Sequence, residues 1–136
     1  SVGETLGSMA LELLPPKSNP KPKCLIAGGE TTVKVTGNGK GGRSQEMAAA
    51  IAAKIMGRTN ITALAAGTDG TDGPTDAAGG LINGQTCKDY QELHLAQMNN
   101  DCYPYLESRN ALFKTGPTGT NVGDLLIILE GETNSR

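Results

Sequence analysis

The chain has 136 residues, a formal net charge of −2 and only 3% aromatic residues. That length suits one domain with a single core, and such a composition lacks both the cationic footprint and the stacking platforms of a nucleic-acid binder. Cys24, Cys87 and Cys102 are widely spaced with no CxxC, which disfavours a disulfide framework or a zinc site and favours a reducing compartment, cytoplasmic or mitochondrial.

In chain order, residues 3 to 14 place Leu6, Met9, Ala10, Leu13 and Leu14 at helical spacing, which predicts a short amphipathic helix. PPKSNPKPK cannot continue it and reads as an extended linker. CLIAGG then predicts a buried strand and TTVKVTG a second, period-2 strand, paired antiparallel to the first across Gly28 and Gly29. SQEMAAAIAAKIMG is the strongest helix signal: Met47, Ile51 and Ile55 form its buried stripe, Glu46 suits its N-terminus and Gly57 its left-handed close. ITALAA predicts a strand, Thr86 and Asp101 are expected N-caps of two short helices, and LFKT and DLLIILE are the last strands. No apolar run reaches the roughly 18 residues of a membrane span, no signal segment opens the chain, and the first residue is not Met, so a fragment or processed piece is expected.

Three loops carry the chemistry. GTDGTDGPTDAAGG places Asp69, Asp72 and Asp76 on a glycine-permissive loop after a strand, where mutual repulsion is costly unless a cation, a donor-rich ligand or water satisfies them. The alternative is a solvated turn whose Asp and Thr side chains bond their own backbone. GNGKGGR fails as a Walker A sequence, since Lys40 precedes Gly41. Its glycines Gly39, Gly41 and Gly42 before a helix start, with Arg43 at the junction, still describe an anion-binding arrangement, against the plainer reading of a flexible turn with solvated cations. TGPTGTNVG offers the neutral donors Thr118, Thr120, Asn121 and the Gly119 amide for phosphate or sugar oxygens, or simply makes an elaborate turn. Glu30 is either a general base or a solvated turn residue, His94 reads as structural, and the cysteines read as small buried hydrophobes. Together these features predict an α/β domain with a mixed β-sheet flanked by helices and Gly/Thr-rich ligand loops at its strand ends.

CLIAGGETTVKVTGNGKGGRSQE, AAGTDGTDGPTDAAGG, the NND at 99 to 101 and TGPTGTNVGDLLIIL occur in an order that resembles the MOFRL domain, over residues 22 to 130. That is the C-terminal domain of the type-2 glycerate kinases, which also carry the name hydroxypyruvate reductase. Two departures are Ser44, where the family usually has Asn, and Cys102, where it usually has Ser.

The resemblance implies an ATP-dependent kinase for D-glycerate, giving 2-phosphoglycerate, whose active site lies between this domain and a larger upstream Rossmann-like domain carrying a catalytic lysine. Residues 1–21 would then be a helix and linker from that upstream domain, 22–131 the MOFRL-like domain and 132–136 a disordered tail. Arg43 matches the family's active-site arginine, with Lys40 assisting, and Thr68, Thr71 and the GPTGTNV loop match segments facing the cleft. ATP and Mg²⁺ are the expected partners, with Asp69, Asp72 or Asp76 holding the metal. The chain alone is expected to be inactive, since half a cleft leaves water free to enter. The rival readings are a binding or regulatory module for a phosphorylated or carboxylated metabolite, and a dehydrogenase. The latter is disfavoured because the full dinucleotide pattern, GxGxxG after a strand with an acidic residue about 20 positions on, is not met.

Overall fold

The computed structural model describes residues 23–131. The helix expected at 3–14, the Pro/Lys-rich stretch after it and the tail at 132–136 lie outside the described residues. The elements are β1 (Lys23–Gly29), α1 (Arg43–Lys54), β2 (Ile61–Gly67), β3 (Gly79–Asn83), α2 (Tyr90–Met98), α3 (Cys102–Ser108), β4 (Leu112–Phe113) and β5 (Asp124–Glu130). They form one α/β domain around a sheet of order β1-β5-β2-β3-β4.

The expected mixed sheet is corrected: every strand pairing is antiparallel. β1 and β2 do run in the same direction with α1 between them, as in a βαβ unit. The slot between them is filled by β5 running the other way, so no parallel pair forms. The expected hairpin of CLIAGG with TTVKVTG is also corrected. β1, the terminal strand of the sheet, pairs with β5 instead, in register from Lys23↔Glu130 to Gly29↔Asp124, and residues 30–36 form no strand. The amides of Thr36 and Gly37 turn instead to the side chain of Asn100.

One sheet face buries Ala63, Ala65, Ile82, Leu126 and Ile128 against Ala48, Ala49, Ile51 and Ala52 of α1 and the Ile55 that caps it, with α2 and α3 beside it. The alanines bring α1 unusually near: a Cβ on Gly80 would stand 2.7 Å from the Ala48 Cβ. That close approach requires glycine at this point of GGLIN, a segment unforeseen as a strand that pairs with β2 as β3. The other face carries Ile26, Ile127, Leu64 and Leu81 in one cross-strand row, with Ile26 and Leu81 exposed.

α1 closes as expected, with Gly57 at φ 83 and its N–H donating to the Gly84 carbonyl at 2.8 Å. The cap of α2 is Asp89, which accepts from Gln91 N. Thr86 does not cap; its hydroxyl oxygen accepts from Asn83 N and tightens the turn after β3. Cys87 and Cys102 are buried, but Cys24 is exposed, because it points to the face of β1 without helices. His94 stacks on Tyr90 at the surface, ring centroids 5.7 Å apart. No helix among the described residues is long and apolar enough to cross a membrane.

Candidate active site

The register places Gly29, Asp124 and Gly67 side by side at one end of the sheet. With no side chain on either neighbouring strand, the Asp124 carboxylate is open to the first residue of α1, Arg43. The guanidinium lies along it with Nη2 3.1 Å from Oδ1 and Nε 2.7 Å from Oδ2. The Nε contact is a close ionic approach, without hydrogen-bond alignment. Nη1 donates to Glu30 Oε1 at 3.0 Å. The hydrogen bond that Arg43 donates to Asp124 is the main cause raising the Arg43 pKa, against the opposing effect of burial. The two carboxylates differ in setting: the Asp124 side chain is 11% exposed and that of Glu30 70%, while Arg43 is at 36%. A recess of about 50 Å³ opens beside them, lined in part by Gly28, Gly29, Thr31, Ser44 and Asp124.

Asp72 has a structural task. Only 3% exposed, it accepts from Ser44 N at Oδ1 and Gln45 N at Oδ2, at 3.0 and 2.8 Å. A protein carboxylate thus fills the anion position that a bare helix N-terminus would offer. Its main-chain oxygen accepts from Thr75 Oγ1, and Gln45 Nε2 donates to the same hydroxyl. Gly42 has to be glycine for this cap, since a Cβ there would sit 2.4 Å from the Asp72 Cγ. Burial raises the Asp72 pKa, while the two backbone N–H groups pull it down.

Lys40 and Asp76 meet at Tyr103. The Lys40 Nζ lies 3.8 Å from the ring centroid, a cation–π contact. The Tyr103 hydroxyl donates to Asp76 Oδ1 at 2.6 Å, and Lys114 Nζ is 3.2 Å from Asp76 Oδ2. The Tyr103 hydrogen bond and then Lys114 lower the Asp76 pKa. The glycine loop lies along residues 98–103: Gly39 N donates to the Asn99 carbonyl and Lys40 N to Asp101 Oδ1.

The two threonine loops are tied to each other. Thr68 Oγ1 donates to the Gly123 carbonyl and accepts from Val122 N, and Thr118 Oγ1 donates to the Thr68 carbonyl. Those hydroxyls are committed within the protein. Thr71, Gly119, Thr120 and Asn121 are exposed beside them, with Asn121 Oδ1 accepting from Gly123 N.

Asp69, Asp72 and Asp76, one or another of which is expected from the sequence to hold the metal, do not converge on a common point. Asp69 accepts from Thr71 N in a local turn, Asp72 caps α1 with both oxygens, and Asp76 spends both on Tyr103 and Lys114. Among the described residues no group of three or more His, Cys, Asp or Glu side chains is placed to hold a metal ion. Sequence reasoning missed Asp124, Asn100, Tyr103 and Lys114 as site residues. The available signal for Asp124 was an acidic residue heading the apolar run LLIIL, where a core strand has no use for charge.

The match of this chain to known proteins follows the same segments. A family model described as the MOFRL family matches residues 23–124. The chain belongs to the MOFRL family. Among its relatives, the D-glycerate 2-kinase of Thermotoga maritima is 51% identical over 111 residues, covering 79% of this chain and 27% of that protein. The glycerate 2-kinase of Pyrococcus horikoshii is 44% identical over 115 residues, covering 79% and 26%. The crystal structure of the Thermotoga maritima glycerate kinase superposes with a TM-score of 0.86 at 47% identity, over 94% of this chain and 32% of that one. This MOFRL chain therefore spans about a quarter of the length of the curated relatives it matches.

Proposed function

We propose that this MOFRL domain forms one wall of the active site of a cytoplasmic, ATP-dependent glycerate kinase, with Arg43 as its principal charge-stabilising residue. The observation that carries the reading is the unequal hold on Arg43. One edge of the guanidinium is fixed by the sheltered Asp124, and the other rests on a Glu30 that is mostly in solvent. An exposed ion pair of that kind is worth about 0–1 kcal/mol, whereas a bidentate contact to a ligand carboxylate or phosphate is worth roughly 1.5–3 kcal/mol. Glycerate or a phosphoryl group therefore displaces Glu30 at little cost, while Asp124 keeps the fork aimed.

In phosphoryl transfer the protein mostly positions reactants and stabilises spreading charge. Arg43 supplies a fixed cation for the transferring group or the glycerate carboxylate. Lys40, held over Tyr103, contributes a second positive charge on the same loop, and the Gly39, Gly41 and Gly42 backbone lines the approach. Thr71, Gly119, Thr120 and Asn121 face the nucleotide in this reading, with Thr68 and Thr118 holding their loops together. The three aspartates do not fit as a shared Mg²⁺ site; Mg²⁺ arrives on the ATP phosphates, which supply its hard oxygen ligands. The partner across the cleft is an upstream Rossmann-like domain, in keeping with the greater length of the kinase relatives.

ADP release by the parent-length polypeptide, measured with D-glycerate, L-glycerate and hydroxypyruvate, tests this. D-glycerate-dependent release that this chain alone does not show is the expected result. Metabolite binding with no turnover would favour the binding-module reading instead.

A further inference from the structure

Between Glu30 and the glycine loop, residues 31–36 lie outside the sheet; Thr36 Oγ1 donates to the Met98 carbonyl at 3.2 Å, and the other hydrogen bonds that return the segment to the protein converge on one side chain, Asn100. Asn100 is 8% exposed and left-handed, at φ 52. Its carboxamide makes four hydrogen bonds, the full complement of that group. Oδ1 accepts from Thr36 N at 2.7 Å and Gly37 N at 2.9 Å. Nδ2 donates to the Lys34 carbonyl at 3.3 Å and to Glu46 Oε1 at 2.7 Å. Glu46 lies in the first turn of α1, the turn that Arg43 opens.

We propose that Asn100 is a positioning residue for the phosphoryl-transfer site: it fastens the strap 34–37 to the first turn of α1, and so sets where Glu30 stands relative to Arg43. The inference rests on the reading of Arg43 as the anion-binding group. The strap cannot hold its course by packing, because Thr32, Val33, Lys34, Val35 and Thr36 are all exposed. The helix does not depend on it, since α1 is anchored through its alanines and isoleucines on the sheet. Losing the carboxamide thus loosens the strap, which keeps only an exposed Thr36–Met98 hydrogen bond among the described residues, and leaves the core in place. The ionisable groups around Glu46 are Asp72 from the aspartate loop and, at the start of α3, the Cys102 thiol, itself near Asp101.

Two substitutions separate positioning from a general loss of fold. Asn100→Ala removes the hub. Asn100→Asp keeps an oxygen for Thr36 N and Gly37 N but sets a second carboxylate against Glu46 Oε1, an opposition that a shared proton relieves at lower pH. On this chain, hydrogen exchange at the Thr36 and Gly37 amides should quicken by about tenfold or more in Asn100→Ala, while buried β2 and β5 amides keep their protection. Asn100→Asp should recover strap protection as pH falls from about 8 to about 5, and Asn100→Ala should not. In the parent-length protein both should lower kcat more than they raise the KM for ATP, and only Asn100→Asp should regain turnover on acidification, relative to the unsubstituted protein.

Unchanged amide protection in Asn100→Ala would overturn the hub. Freed amides with unchanged turnover would overturn the positioning role. A parent that turns over no glycerate would instead overturn the reading of Arg43, and the strap is then judged by whether the response of the Arg43 Nε resonance to tripolyphosphate survives in Asn100→Ala: a preserved response refutes positioning and a lost one supports it.

Discussion

Arg43 and Asp124 meet across the end of the sheet, the guanidinium Nε 2.7 Å from one carboxylate oxygen and Nη2 3.1 Å from the other. The two are 81 residues apart in the chain. α1 delivers one and β5 the other, and the glycines flanking Asp124 on both neighbouring strands leave the path between them clear.

Replacing the fork by a point charge keeps the charge and loses the geometry. Arg43→Lys in the parent-length protein should cost on the order of 2–4 kcal/mol of transition-state stabilisation. Its melting temperature should change little, since the pair sits at the rim of the fold. Steady-state kinetics beside a thermal melt decide the matter: near-normal turnover with a lowered melting temperature would make Arg43 structural.

Asp72 should behave as a helix cap. Asp72→Asn leaves one acceptor where the Ser44 and Gln45 amides need two, and should destabilise by about 1–3 kcal/mol in urea unfolding, with or without Mg²⁺. Asp69→Asn, touching only a local turn, should stay within about 0.5 kcal/mol. A Mg²⁺-dependent loss at Asp72 would return it to the metal role.

Burial raises the Glu46 pKa above its ordinary 4.5, with Asn100 opposing and the Asp72 charge adding. For an acid raised in the folded state, ionisation costs the fold stability above the raised pKa, and that cost disappears as pH falls toward the unfolded value. Stability should therefore decline as pH climbs through the window just above 4.5. Glu46→Gln keeps an oxygen for Asn100 Nδ2 and should flatten part of the decline, with Asp72 supplying the remainder in the same direction. Chemical unfolding across that range would show an unaltered slope if Glu46 were not its source.

The thiols should separate by burial. Cys24 is exposed and should alkylate readily in the native protein. Burial, followed by the nearby Glu46, Asp101 and Asp72 charges, pushes the Cys102 thiol up to about 12, so it should react only on unfolding, as should the buried Cys87. Mass-mapped labelling with and without denaturant checks this; prompt native labelling at Cys102 would mean that α3 opens locally.

Much of the local structure could be read along the chain because its causes are local. The alanine and isoleucine spacing of α1, the left-handed Gly57 and the apolar runs of β2 and β5 depend on neighbours within a few residues, where helical and strand periodicities operate. The loops could be recognised as special for the same reason, since glycine-rich turns with clustered Asp and Thr side chains stand out from any core pattern.

What each side chain in those loops does was decided at long range. TTVKVT has the composition of a strand, but β1 pairs with β5 and Asn100, 64 residues away, takes the Thr36 amide. Asp69, Asp72 and Asp76 look equivalent as text. One lies under α1 as a cap, one closes a turn and one faces Tyr103 and Lys114, because each oxygen goes to whichever donor the packed helices bring within hydrogen-bond reach. By itself, then, the sequence determined the helices among the described residues, most of the strands and the Arg43-bearing loop. Only the tertiary structure decided that Asp124 aims Arg43, that Asn100 anchors the strap and that the aspartates part company, since hydrogen bonds and ion pairs are settled by distances in space that sequence spacing does not contain.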